Sequence, residues 1–179
     1  MRILQAVPNS VLLLYTDIQS AEHNLRLEAQ KRGVNPERLI FGGRLPRSEY
    51  LARCKSADLF LDTLPYNAGA TASDALWAGL PVLTCMGESF ASRYAASLLK
   101  AIELPELVTK SQAEYEALAI ELAMNPIKLK EIKEKLEHNR LTTMLFDTAL
   151  FTKHIETAYA KMHERYLNDL PLDNLYIDT

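Results

Sequence analysis

The chain has 179 residues, 48% hydrophobic and 24% charged, with a formal net charge of -3. That composition belongs to an ordinary globular domain with enough chain for a real core, and excludes a disordered or collagen-like polymer. The slightly acidic balance argues against a nucleic-acid binder that works through a general phosphate field.

Two cysteines, Cys54 and Cys85, stand too far apart for a metal knuckle and read as reduced thiols. The opening "MRILQAVPNS" lacks the apolar core of a signal peptide, and no apolar stretch reaches membrane-spanning length. The expectation is a cytoplasmic protein without membrane or nucleic-acid partners.

In chain order, "VPNSVLLLY" is a turn followed by a strand over residues 11–15. Ser20 is placed to cap a helix running to about Arg32, and Gly33 stops it. "RLIF" is a second strand, ended by Gly42 and Gly43, and Pro46 opens a helix through about Lys55. "DLFL" is a third strand, and a helix over residues 71–78 ends at Gly79. "PVLT" is a fourth strand, followed by a helix over residues 87–100. Trp77 is expected to pin the 71–78 helix to the sheet. Short apolar strands separated by helices predict an α/β fold, a Rossmann-like parallel sheet with helices on both faces.

From Ser111 the character turns helical. "SQAEYEALAIELAMNP" carries a capping-box pattern at Ser111 and Glu114, and Pro126 ends that helix. A charged amphipathic helix follows over residues 127–139. Residues 147–167 form a long helix with apolar positions Leu150, Ile155, Tyr159 and Met162. The expected organisation is a nucleotide-binding lobe over 1–110, a helical part over 111–168 packing on it, and an extended tail over 169–179.

In an open parallel sheet, ligands sit beyond the carboxyl ends of the strands. Two loops there stand out. The first leads into a helix on which Arg47, Tyr50 and Arg53 recur every three residues and share one side. A tyrosine there can stack on a base and arginines can reach phosphates, yet a solvated basic face needs no ligand. The second loop, "NAGAT", has little side-chain bulk before a helix whose first amides lack internal partners. A phosphate at those amides, with the Thr71 hydroxyl and Asp74 on sugar hydroxyls, is one reading. Plain capping by Thr71 with Asp74 three residues on is the other, and local sequence favours it. Neither loop is a GxGxxG or a P-loop. His23, His138, His154 and His163 are scattered, and neither Ser73 nor Ser89 sits in a nucleophile pattern.

At these residues the chain resembles a known family. "ADLFLDTLPYNAGATASDALWAGLPVLTCMGESFASRYAASLL" is similar to the C-terminal catalytic lobe of the O-GlcNAc transferase and SPINDLY-like glycosyltransferases, family 41. "RLIFGGRLPRSEYLAR" upstream and "RLTTMLFDTALFTKHIETAYAKM" downstream extend the resemblance over nearly the whole chain. It implies one half of a GT-B fold and inverting transfer from a UDP-GlcNAc-type donor to Ser or Thr of a protein acceptor. No cofactor and no metal are implied. The matched positions imply that a backbone group at Leu45 reads the base, with Arg47 near the nucleotide. They also imply Tyr50 stacking on the base, Arg53 on its base side, Thr71 on the diphosphate and Asp74 on the ribose.

Where the animal enzymes carry His-Thr-Thr, this chain has Gly69, Ala70 and Thr71. Backbone amides must then do more of the diphosphate binding. The family's first lobe, its tetratricopeptide repeats and a lysine-bearing segment that contacts the diphosphate all precede Met1. The chain therefore reads as a fragment with little activity of its own, its catalytic groups expected on that first lobe. Two alternatives stay open: a GDP-fucose-type donor, as in SPINDLY-like relatives, and a non-catalytic module that self-associates into a homo-oligomer.

Overall fold

The computed structural model describes residues 1–177, which form eight α-helices and five short strands, with every strand pair parallel. Two units are legible. The first comprises α1 (Arg2–Ala6), β1 (Leu12–Tyr15), α2 (Gln19–Lys31) and β2 (Leu39–Gly42). Leu13 lies opposite Ile40 and Tyr15 opposite Gly42. Leu4, Ala29, Val34 and Leu39 are buried in a small core, with Leu12, Leu14 and Phe41 packed on it. Arg38 ties the entry to β2 back to the β1 turn, donating to Ser10 O at 2.7 Å and Val7 O at 2.6 Å.

The second unit carries the main core. It comprises α3 (Arg47–Lys55), β3 (Phe60–Leu61), α4 (Ala70–Trp77), β4 (Val82–Cys85), α5 (Tyr94–Ala101) and β5 (Val108–Thr109). Its strand order is β3-β4-β5. Every residue of β4 is buried, as a central parallel strand covered on both faces requires. α6 (Gln112–Met124) and α7 (Pro126–Thr142) add Leu122, Ile132 and Leu136 to the same core as Leu76, Leu99 and Leu104. α8 (Thr148–Leu167) closes the helical part.

Helix ends follow from local chemistry. Gly33 and Gly79 take φ of 69° and 84°, a left-handed conformation that costs glycine little. At the second, Gly79 N–H returns to Leu76 O and Leu80 N–H to Ala75 O, and β4 begins two residues later. Ser111 and Asp147 cap α6 and α8, accepting from the amides of Glu114 and Leu150. Pro126, expected as a breaker, is the first residue of α7, where its missing N–H costs nothing.

Several expectations are corrected. Ser20 does not cap α2. The helix starts at Gln19 with Ile18 at its cap, and the Thr16 hydroxyl accepts from Ile18 N–H. The helix after β4 begins at Tyr94 rather than Gly87. Residues 86–90 are loop, with Gly87 N–H donating to Ser92 O, and a 3-10 turn spans Ala91–Arg93. The short strand β5 carried no period long enough to see.

Trp77 is not a core residue. α4 buries Ala72, Ala75 and Leu76, and the next position around the helix points away from the sheet. Trp77 is 46% exposed and meets Phe146 edge-on at 5.1 Å. The sheet is also not covered alike everywhere: β1 and β2 leave Leu13, Tyr15 and Ile40 exposed, as is Val11 just before β1. α8 has no buried residue. The described part of the tail runs back along it, with Lys161 Nζ donating to Tyr176 O at 2.7 Å and Arg165 to Pro171 O. The last two residues of the expected extended tail, 178–179, lie outside the described residues.

Because α8 buries nothing, ending the chain after Asp147 is expected to change the unfolding free energy by less than about 1 kcal/mol. Gly79→Ala, by contrast, forces a side chain into left-handed backbone and is expected to cost about 1 kcal/mol. Urea denaturation of both variants checks the pair. A truncation that loses several kcal/mol contradicts the division of the core described above.

Candidate functional site

The carboxyl ends of β2, β3 and β4 all open onto one edge, and each is followed by a loop leading into a helix. The loop after β3 is built around one carboxylate. Asp62 is 4% exposed. Its Oδ1 accepts from the amides of Thr63 at 2.8 Å and Ala68 at 2.7 Å, and its Oδ2 accepts from the Thr84 hydroxyl at 2.6 Å. The loop is folded over that anchor by Thr63 Oγ1 donating to Tyr66 O and by Asn67 Nδ2 donating to Thr63 O. Tyr115 of α6 donates to Asp62 O at 3.0 Å from behind.

Burial pushes the Asp62 carboxyl above its ordinary value, and the three hydrogen bonds offset part of that rise. Burial also raises the Tyr115 phenol, with Asp62 and Cys85 adding to it. Tyr115 therefore stays a hydrogen-bond donor throughout the physiological range.

This loop delivers the N-terminus of α4. The helix begins at Ala70 with Gly69 at the cap, and no side chain caps it. The plain-capping reading is thereby corrected. Thr71 lies inside the first turn and is not the cap. Asp74 instead accepts from Arg47 Nη2 at 2.8 Å. Ala70 and Thr71 are exposed, so the free first amides face solvent on the ligand edge with no acid in the first turn to neutralise them.

α3 packs beside α4 and brings the second set of expected residues. Arg47 is on the surface and pairs with Asp74, which is partly buried; the other Asp74 oxygen has no protein partner among the described residues. Tyr50 is half-buried against the main core, and burial, with Cys54 and Asp74 nearby, pushes its phenol up to about 12. Arg53 serves its own loop: it donates to Gly43 O at 3.2 Å and lies 5.8 Å from the Tyr50 ring centre. A side chain at Gly42 would meet Arg53 Nη1 at 2.6 Å, so the glycine makes room for that guanidinium. Leu45 is half-buried in the same loop.

One contributor escaped the sequence reading. Tyr94 at the start of α5 lays its ring against Gly69, where a Cβ would meet Cε1 at 3.3 Å. Phe90 stacks edge-on against Tyr94 at 5.8 Å. Gly87 directly after a buried strand was the available signal, since strand-to-helix loops of a parallel sheet share one edge. Among the described residues, no group of three or more His, Cys, Asp or Glu is placed to hold a metal ion. The four histidines lie on α2, α7 and α8, outside these loops.

Residues 1–155 match the model of glycosyl transferase family 41. A Caenorhabditis elegans UDP-N-acetylglucosamine–peptide N-acetylglucosaminyltransferase is 34% identical over 178 residues, which is 99% of this chain and 16% of that protein. A probable enzyme of the same name from Arabidopsis thaliana, SEC, is 40% identical over 161 residues, 89% of this chain and 16% of its own length. A solved mutant form of Thermobaculum terrenum O-GlcNAc transferase superposes with a TM-score of 0.84 at 35% identity, covering 90% of this chain and 32% of that one. The chain thus spans about a sixth of the length of the two named relatives.

Asp62→Ala strands two amides and one hydroxyl in a buried place and is expected to cost about 3 kcal/mol of stability. Asp62→Asn keeps an acceptor for the amides and removes the charge. A raised folded-state value means that the folded chain holds this proton more tightly than the unfolded one. Stability from this group is therefore greatest at low pH and falls as pH rises from the ordinary carboxylate value through the raised one. Wild type is expected to lose stability relative to Asp62→Asn across that window, read by thermal unfolding at stepped pH. Parallel curves would refute the burial effect.

Proposed function

The chain belongs to glycosyl transferase family 41, and we propose that it forms the donor-binding lobe of an inverting protein O-GlcNAc transferase. The donor is a UDP-GlcNAc-type sugar nucleotide and the acceptor a Ser or Thr hydroxyl of a protein. The observation that carries this reading is the uncapped, solvent-facing N-terminus of α4, held by Asp62 at the carboxyl edge with Asp74 one turn in.

In the proposed reaction the acceptor oxygen attacks the anomeric carbon while the bond to the diphosphate breaks. The nucleoside diphosphate leaves with the electron pair, so negative charge grows on its terminal phosphate. The amides of Ala70 and Thr71, the α4 dipole and the Thr71 hydroxyl are suited to meet that charge. Gly69 and Ala70 add no side-chain donor, which leaves the backbone the larger share. Asp74 accepts from the ribose hydroxyls with the oxygen that Arg47 leaves free. Leu45, Arg47, Tyr50 and Arg53 frame the base from the neighbouring loop and helix, and no metal is required. The acceptor proton is taken by a group outside this lobe, so the chain alone is expected to turn over poorly. The names of the relatives support UDP-GlcNAc over a GDP-fucose donor. Among the described residues, no helix is long and apolar enough to cross a membrane.

Calorimetric titration tests the reading. UDP is expected to saturate the chain more tightly than GDP. A hydrogen bond to a charged group contributes about 1.5–3 kcal/mol, so Thr71→Ala and Asp74→Ala are each expected to weaken UDP about ten-fold or more. The Asp74→Ala loss should shrink when 2'-deoxy-UDP replaces UDP, whereas the Thr71→Ala loss should not. Wild type and both variants binding UDP equally would sink the site assignment.

A further inference from the structure

Tyr94 brings a hydroxyl to the ligand edge that the fold itself does not use. The residue is the first of α5 and is 42% exposed, and no protein group among the described residues bonds its phenolic oxygen. Tyr115, behind the same loop, differs in this respect: its hydroxyl is taken up by Asp62 O.

The ring is held in place from several directions. Phe90 meets it edge-on at 5.8 Å, with the two planes at 90°. The 3-10 turn Ala91–Arg93 directly before it is tied to the β3 loop, since Asn67 N–H donates to Ala91 O at 3.1 Å. Asn67 is 1% exposed and its Nδ2 donates to Thr63 O at 3.0 Å, so this tie lies inside the fold. On the other side, Ala95, Ala96 and Leu99 bury the next turns of α5. The start of α5 is thereby fixed relative to the start of α4.

The hydroxyl end of the ring stands at the α4 cap. A Cβ on Gly69 would meet Cε1 at 3.3 Å and both Cδ1 and Cζ at 3.5 Å. Those three atoms are one edge of the ring, and the oxygen is a single bond beyond Cζ. The two amides that follow, of Ala70 and Thr71, belong to exposed residues at a terminus that no side chain caps. Gly69 and Ala70 supply no side-chain donor to an anion placed there. A phenol does, and it is a neutral donor, whose bond to a charged acceptor is about twice as strong as one to a neutral acceptor.

We propose that Tyr94 is a further binding residue of this site, its hydroxyl donating to a diphosphate oxygen of the sugar nucleotide. The inference rests on the donor-lobe reading given above. Negative charge grows on that diphosphate as the sugar departs, so the same bond strengthens along the reaction. Gly69 is the condition for it, because a side chain there would push the ring off the cap.

The test is Tyr94→Phe, which keeps the ring, its contact with Gly69 and its stack on Phe90, and removes the hydroxyl alone. UDP and uridine are each titrated into the full chain and followed by NMR chemical shifts, with Thr71→Ala alongside. Tyr94→Phe is expected to weaken UDP about ten-fold and to leave uridine unchanged. The proposal is overturned if Tyr94→Phe binds UDP as wild type does. It is also overturned if UDP and uridine lose alike, since a ring that merely shapes the loop would act on both. Where Thr71→Ala weakens UDP and Tyr94→Phe does not, the hydroxyl assignment falls and the donor-lobe reading stands. UDP that fails to saturate wild type overturns both.

Discussion

The buried carboxylate of Asp62 is the contact on which the ligand edge depends. It ends β3, accepts the amide of Ala68 six residues on, and is held from β4 by Thr84. The Thr84 carbonyl in turn accepts from Thr109 of β5, so one chain of hydrogen bonds crosses all three strands to the loop. A loop of small residues has no side-chain packing to shape it, and its conformation must come from such an anchor. Burying a charge costs several kcal/mol unless it is well bonded, and the raised carboxyl value indicates that the cost is only partly offset here. The benefit is positional: the Ala68 amide is tied down two residues before α4 begins.

What surrounds that anchor shows a trade between neighbouring loops. Gly69 offers no side chain at the α4 cap, and the space its Cβ would need is taken by the Tyr94 ring from α5. The two positions are coupled, since a bulky residue at 69 can enter only if Tyr94 turns aside. The Tyr94 ring lies against Gly69 and leaves Ala70 and Thr71 exposed.

Much of the fold was legible because local and global preferences agree. Four short apolar runs, the stops at Gly33 and Gly79 and the cap at Ser111 each act within a few residues, and each stands where the sequence places it. The misses are positions where a tertiary partner decides. Thr71 and Asp74 have the spacing of a cap, but Arg47, 27 residues upstream, takes Asp74. Trp77 reads as core by its size, yet the packed face of α4 is made of alanines and one leucine, and the tryptophan meets Phe146 instead. Arg53 stays on the same side of α3 as Tyr50, and its bond to Gly43 O across the space at Gly42 is a tertiary contact that the period alone does not show. Tyr94 needed the knowledge that residues 86–90 form a loop, and a glycine and two serines in an otherwise helical stretch were the only local sign.

The divided sheet bears on the site because both lie at the same place in the fold. The loops that follow β2 and β3 form the two walls of the candidate site, yet their strands belong to different sheets and different cores. Within the second unit the geometry is fixed: α3 and α4 pack together, and Arg47 meets Asp74 across them. The β2 loop joins this frame chiefly through Arg53 and Gly43 O, one exposed hydrogen bond whose net contribution is about 1 kcal/mol or less. A ligand that needs Leu45 and Thr71 at once must order that hinge when it binds. Its apparent affinity is then reduced by the fraction of chains in which the two walls already stand in register.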